Sequence, residues 1–172
     1  MLKMRKGCPS DLEAVLRLYR NCITDLEEKG LYQWDNRYPN RETFEKSINE
    51  GSLYLFPDGN STLAGSVILN EIQSREWAPV KWNYRDGKIL VIHALAVDPA
   101  CRGLGYGRLI LNLCEEFGRR NRYGIVRLDV FPENKAAVAL YRKNGYRKAG
   151  EVVFPFKPED HQVYDCYEKI LG

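Results

Sequence analysis

Apolar residues along the chain follow two spacings, one helical and one alternating. Leu12, Val15, Leu16, Tyr19, Cys22, Ile23 and Leu26 recur on one helical face. Ser10-Asp11-Leu12-Glu13 reads as a capping box opening that helix, and Gly30 as its close. A shorter helix follows Asn40, turns Phe44 and Ile48 inward and stops at Gly51. From Gly105 a long helix is patterned by Ile110, Leu113, Cys114 and Phe117, and a last short one runs from Lys135 to Lys143, ending at Asn144-Gly145. Leu2 to Lys6 alternates weakly and predicts a strand. Ser52 to Phe56 and Leu63 to Leu69 flank the turn residues Pro57-Asp58-Gly59-Asn60 and predict a hairpin. Ile89 to Val97 and Ile125 to Val130 are dense in apolar and β-branched residues, as buried strands are. Tyr146 to Phe154 and Val163 to Ile170 predict two closing strands. Residues from about Glu71 to Gly87, with Trp77, Pro79 and Trp82, follow neither spacing and read as a loop excursion.

This order predicts one mixed α/β sheet flanked by helices rather than a regular βαβ alternation. A chain of 172 residues is expected to form a single domain, 1–172, with its own core. Hydrophobic residues at 44% and charged residues at 28% exclude a disordered or coiled-coil chain. The net charge of +3 is too mild to predict a nucleic-acid or membrane-surface partner. The apolar run from Ile89 is interrupted at His93 and is too short to span a bilayer. No apolar run follows the charges of Met1-Leu2-Lys3-Met4-Arg5-Lys6, so no signal peptide is expected. The cysteines (Cys8, Cys22, Cys101, Cys114, Cys166) are odd in number and form no C-x-x-C pair. Neither a disulfide framework nor a metal site is expected, and a cytoplasmic setting is favoured.

Arg102-Gly103-Leu104-Gly105-Tyr106-Gly107-Arg108 lies between a buried strand and a helix. Glycines there let a ligand approach the backbone, and the unpaired amides and positive end of a helix start attract an anion such as a phosphate. No Gly-Lys-Ser/Thr follows, which excludes a Walker loop. The G-x-G-x-G spacing also departs from the dinucleotide fingerprint G-x-G-x-x-G. A glycine-rich turn without a ligand remains the alternative at this point.

Arg102, Gly105 and Gly107 match the Arg/Gln-x-x-Gly-x-Gly/Ala signature with which the GNAT (GCN-five-related N-acetyltransferase) superfamily binds acyl-CoA. The similarity extends upstream through His93-Ala94-Leu95-Ala96-Val97-Asp98-Pro99. Downstream it includes Arg127-Leu128-Asp129-Val130 and the stretch from Asn134 to Tyr146, so that it covers roughly Lys88 to Leu171. The resemblance implies a mixed, mostly antiparallel sheet and acetyl-CoA as cosubstrate, with no metal. It implies that the strand before the glycine turn splays at a bulge, and that Leu95, Ala96 and Val97 pair with the pantetheine arm. Amides from Gly103 through Leu104, Gly105, Tyr106, Gly107 and Arg108 would cradle the pyrophosphate. Asn134, Ala137 and Tyr141 share one helical face by their spacing. By resemblance Asn134 would hold the pantetheine amide, and Tyr141 would protonate the CoA sulfur.

Acyl transfer to an amine requires a neutral amine, a donor for the oxyanion and a proton for the leaving thiolate. His93 stands where family members often carry a base. It would face the same side as Leu95 and Val97 if the strand alternates, although a core histidine or a water relay reads equally well. His161 sits in a predicted loop and is the poorer candidate. Cys101 and Cys166 have no adjacent base in the sequence, so direct transfer is expected rather than an acyl-enzyme. Arg119, Arg120 and Arg122 read as cations at a helix C-terminus. The aromatic connection holding Tyr32 and Trp34, with Phe154 and Phe156 from a late loop, predicts a narrow acceptor mouth suited to a small free amine. A peptide or protein amine, a non-catalytic CoA-binding module and another kind of nucleotide-binding domain are the competing readings. Oligomeric state is left open, with a homodimer among the options.

Overall fold

The computed structural model describes residues 2–59 and 62–172; the tip of the predicted hairpin turn at Asn60 falls outside them. The described residues form a seven-stranded sheet in the order β1-β2-β3-β4-β5-β7-β6. In chain order the elements are β1 (Arg5–Lys6), α1 (Leu12–Glu27), α2 (Arg41–Asn49), β2 (Leu53–Pro57), β3 (Leu63–Asn70) and β4 (Ile89–Val97). There follow α3 (Tyr106–Arg120), β5 (Ile125–Val130), α4 (Lys135–Lys143), β6 (Arg147–Val153) and β7 (Val163–Ile170). β4 and β5 pair in parallel, Ile89 with Ile125 through Val91 with Arg127. The pairs β1–β2, β2–β3, β5–β7 and β6–β7 are antiparallel, so the sheet is mixed and mostly antiparallel.

The chain divides into two compact units. One is the chain up to Leu69 with His93–Leu113, and the other is Asn70–Ile92 with Cys114–Gly172. In the first, α1 buries Val15, Leu18, Tyr19 and Cys22 against Phe44 of α2 and Leu53, Leu55, Ile68 and Ala96 of the strands. That is the face its periodicity predicts, with Leu18 added. The start of α1 departs from the predicted capping box. A 3-10 turn over Pro9–Asp11 precedes the helix, and the Asp11 carboxylate accepts the Cys8 amide at 2.9 Å and both Arg5 guanidinium nitrogens at 2.7 Å. Glu13 instead pairs with Arg41 at 2.6 Å. The Arg5 guanidinium holds the Asp11 carboxyl well below the usual carboxylate range. Asn40 caps α2 by accepting the Thr43 amide at 2.9 Å. β1 is shorter than predicted, only two residues paired with Tyr54 and Leu55.

In the second unit Leu90, Val91, Cys114, Ile125, Val126, Leu128 and Leu171 are buried. Gly118 brings α3 close to the chain end, since a Cβ there would stand 2.4 Å from Leu171 Cδ1. The excursion over residues 71–87 is an ordered strap with a 3-10 turn at Arg75–Trp77 and a buried Trp77. No helix among the described residues is long and apolar enough to cross a membrane.

Candidate active site

In the first unit the end of β4 is deformed. Ala94 has φ +47°, in the left-handed region that a residue with a side chain rarely enters. This interrupts the pleat immediately after His93, so strict alternation no longer sets His93 on the side of Leu95 and Val97, and its place in the family pattern is what remains of the case for it as base. His93 itself is half-buried. Two side chains one helical turn apart on α1 hold the deformation. The Tyr19 hydroxyl donates to the Ala94 carbonyl, and the Cys22 thiol to the Val97 carbonyl at 3.4 Å. Burial raises the pKa of both groups, Tyr19 well up and Cys22 to about 11, so both stay protonated as donors. Ala96 is buried, with its carbonyl only 2.4 Å from where a Gly65 Cβ would stand. Gly65 is therefore required for close backbone approach of β3.

Beyond Val97, the Asp98 carboxylate accepts the Ala100 amide at 2.9 Å and opens a 3-10 turn over Pro99–Cys101. Arg102 is anchored on Asp25 of α1. Gly103 and Gly105 adopt φ +76° and +81°, and a Cβ at either would enter open space. Glycine is thus demanded by backbone conformation rather than by crowding, and the turn is exposed around Leu104. The hydrogen-bond ladder of α3 begins with Leu109 N–H donating to Gly105 O at 3.1 Å. The amides of Tyr106, Gly107 and Arg108 therefore stand ahead of the ladder, as in the first turn of any helix.

In the second unit α4 starts at Asn134, whose side-chain oxygen accepts the Ala137 amide at 3.1 Å. Two of the three residues predicted on one helical face thus form the helix cap. The third, Tyr141, is buried and meets Tyr146 edge-on at 5.6 Å. Burial, with smaller contributions from Cys114 and Asp129, pushes its phenol well above the ordinary value, which keeps it protonated.

Asp129, on β5, is a residue that reading the sequence did not single out. Desolvation raises its carboxyl to about 6; the Trp77 hydrogen bond and the charge of Lys157 oppose the shift. Trp77 Nε1–H donates to Asp129 Oδ2 at 3.2 Å. A carboxyl with that affinity can accept a proton near neutral pH, and its nearness to Tyr141 is visible in the electrostatic effect on the phenol. The signal available in the sequence was one acidic residue in the otherwise apolar end of Ile125–Val130.

The predicted acceptor walls fare differently. Trp34 packs on Tyr19 at 5.4 Å and belongs to the margin of the first unit's core, because an indole buries more area there than on a loop. Phe154 is buried and packs edge-on against Tyr164 at 5.2 Å. Tyr32 and Phe156 remain exposed. His161 lies in the connection between β6 and β7, as predicted, where it is buried and stacked on Phe131 at 4.6 Å. All five cysteines are free; burial raises the Cys166 thiol strongly, and Cys101 is raised by the same cause. Thiols held protonated are poor nucleophiles. Arg119 and Arg120 pair with Glu115 and Glu116 one turn back on α3. Among the described residues no cluster of three or more His, Cys, Asp or Glu is placed to hold a metal ion.

Residues 13–146 match the model of the acetyltransferase (GNAT) family. The N-alpha-acetyltransferase RimI of Mycobacterium tuberculosis is 42% identical over 59 residues, 34% of this chain and 35% of that protein. The chain spans about a third of the length of the curated relatives it matches. Among solved structures, a GNAT family acetyltransferase from Streptococcus agalactiae superposes with a TM-score of 0.83 at 20% identity, covering 98% of this chain and 95% of that one. The ribosomal-protein-S18-alanine N-acetyltransferase of Escherichia coli superposes with a TM-score of 0.72 at 16% identity, covering 100% and 95%. At such identities these structures speak to the fold, and the family assignment comes from the match over 13–146: this chain belongs to the GNAT acetyltransferase family.

Proposed function

We propose that the chain is an acetyl-CoA-dependent N-acetyltransferase that moves the acetyl group directly to a primary amine. The observation that carries this reading is the turn at Gly103 and Gly105, open, left-handed and leading into unladdered amides, within the family-matched segment. In this reading the amides from Gly103 to Arg108 hold the pyrophosphate, and Arg102, braced by Asp25, fixes the turn. The backbone of Leu95, Ala96 and Val97 receives the pantetheine arm as an added strand, beyond the deformation at Ala94. Asn134 and Ala137 hold the pantetheine amide at the start of α4.

Asp129 takes the proton from the amine in preference to His93, because its raised carboxyl suits the task and the alternation that would turn His93 toward Leu95 and Val97 is broken at Ala94. The neutral amine attacks the thioester carbonyl, the C–S bond breaks, Tyr141 gives its proton to the departing sulfur, and the proton then shed by the new amide nitrogen restores the phenol. Burial, which keeps the Tyr141 phenol protonated, supports that role. The free, raised thiols support transfer without an acyl-enzyme, and they suit a reducing, cytoplasmic setting.

A small free amine is the first acceptor class. The burial of Phe154 and the docking of Trp34 on the core weaken the narrow aromatic mouth on which it rested, leaving Tyr32 and Phe156 as its exposed members. A peptide N-terminus is the second class, favoured by the name of the relative from M. tuberculosis. The test is release of CoA from acetyl-CoA across amino acids, polyamines, aminoglycosides and peptides with free N-termini. Turnover confined to one class assigns the acceptor. CoA binding without turnover on any amine would instead favour the non-catalytic module.

A further inference from the structure

β5 and β7 present a polar face within an apolar sheet. Arg127 is paired in register with Glu168, and Asp129 with Cys166, so all four side chains share one side. The strap from residue 71 to 87 is fastened to that face at several points. Arg127 donates to Gln73 Oε1 at 2.6 Å and to the Tyr84 carbonyl at 2.6 Å, binding the strap near both ends. Asn83 donates to Glu168 Oε1 from its backbone at 2.6 Å and its side chain at 2.8 Å. The Arg127 guanidinium lies 4.1 Å over the Trp82 ring, and Trp82 packs on Trp77 at 5.2 Å. Val80 adds an apolar contact, 3.3 Å from the place of a Cβ on Gly150 of β6. So many attachments fix one feature of the strap, the indole of Trp77, whose N–H points at Asp129.

We propose that Trp77 is a positioning residue: the clamped strap holds its indole N–H on the Asp129 carboxylate and orients that group for proton transfer. The inference rests on the reading of Asp129 as proton acceptor. A donor on Oδ2 leaves Oδ1 as the oxygen directed at an incoming proton, and it also favours the ionised form that accepts one. The other groups that bear on Asp129 are Lys157 from the β6–β7 connection, which favours ionisation, and Cys166 of β7 and Tyr141 of α4, both held neutral. Arg127, two residues back on the same face, is engaged by Glu168 and the strap. Trp77 is thus the neutral donor that distinguishes one Asp129 oxygen from the other.

The experiment follows protonation directly by NMR and compares it with the pH dependence of turnover. In the unaltered protein, the indole N–H resonance of Trp77, one of three tryptophans, should titrate with the same midpoint as the Asp129 carboxyl carbon. In Trp77→Phe the Asp129 midpoint should rise by about one pH unit as the donor is lost. The acidic limb of kcat/KM should move with it, roughly tenfold lower on that limb, while KM for acetyl-CoA stays put. A Trp77 resonance insensitive to Asp129, or an unmoved midpoint in a folded Trp77→Phe, overturns the inference and leaves Asp129 as base intact. A midpoint that moves while the kinetic limb does not upholds the Trp77 contact and overturns Asp129 as the base. Should Trp77→Phe fail to fold, the titration of the unaltered protein still decides the contact.

Discussion

Burial lifts the Asp129 carboxyl from 3.8 to about 6, so the folded chain prefers it protonated. Below the unfolded value the group is neutral in both states and its preference contributes fully to stability. As pH rises through 6 that contribution is lost, because the folded state must ionise a desolvated acid. At about 1.4 kcal/mol per unit, and discounted because the side chain retains some water contact, the loss is about 2 kcal/mol. Asp129→Asn should therefore unfold several degrees higher than the parent at pH 8, about 5 °C on the usual scaling, and at the same temperature near pH 4. Its kcat/KM should fall by roughly 10²-fold. Thermal unfolding at the two pH values checks the first expectation, and a variant no more stable at pH 8 refutes it. Tyr141→Phe belongs at the same scale: kcat should drop roughly tenfold to hundredfold with KM for acetyl-CoA nearly constant, since the hydroxyl acts as charge develops on sulfur. Full turnover would return Tyr141 to packing against Tyr146. Tyr141 was legible as a candidate because helical spacing and a family motif coincide on it. Asp129 was not, because its chemistry comes from desolvation and from Trp77, 52 residues away.

Elements were legible where local pattern and tertiary demand agree. β4, β5, α4 and β7 follow the predicted bounds; in β5 this is because its apolar positions Ile125, Val126, Leu128 and Val130 are the buried ones. The entry to α1 was misread because Ser10 and Glu13 satisfy a local motif, while the stronger acceptor, Asp11, is drawn to Arg5 and the Cys8 amide. The strap was illegible for another reason: its order is imposed by Arg127 and Glu168, far off in sequence, and no periodicity encodes that. Glu168 is fully buried and Arg127 is 5% exposed, with guanidinium and carboxylate 3.7 Å apart. Removing one partner strands the other, which typically costs about 3–5 kcal/mol, whereas replacing both with apolar residues is often nearly neutral. Arg127→Met should thus destabilise strongly and speed amide exchange across residues 73–84. Adding Glu168→Leu should restore much of the stability without restoring the slow exchange, because the strap's attachments are gone. Denaturant unfolding and hydrogen exchange read the two effects, and a single variant within ~1 kcal/mol of the parent would show the pair to be dispensable.

For the whole molecule the relevant quantity is the linkage between ligand and folding. A ligand that binds the folded chain alone raises its stability by RT ln(1 + [L]/Kd), about 2.7 kcal/mol at a hundredfold excess over Kd. For a chain of 172 residues this corresponds to a rise in Tm of roughly 5–10 °C. CoA should produce such a shift, and ATP or NAD at the same concentration should not, because the turn at Gly103 and Gly105 lacks the lysine of a Walker loop and the spacing of a dinucleotide fingerprint. Gly105→Glu provides the internal control. Position 105 has φ +81°, so any side chain there is strained, by about 1 kcal/mol, a cost that lowers Tm with and without ligand alike. The carboxylate adds a second effect: it projects into the open space of the turn and repels a diphosphate. Gly105→Ala carries the strain without the charge. The CoA-induced shift should therefore be about as large in Gly105→Ala as in the parent and absent in Gly105→Glu, even though the two variants unfold at similar temperatures without ligand. Equal CoA shifts in all three proteins would remove the glycine turn from the cofactor site, and an equal response to ATP would point to a general anion site instead.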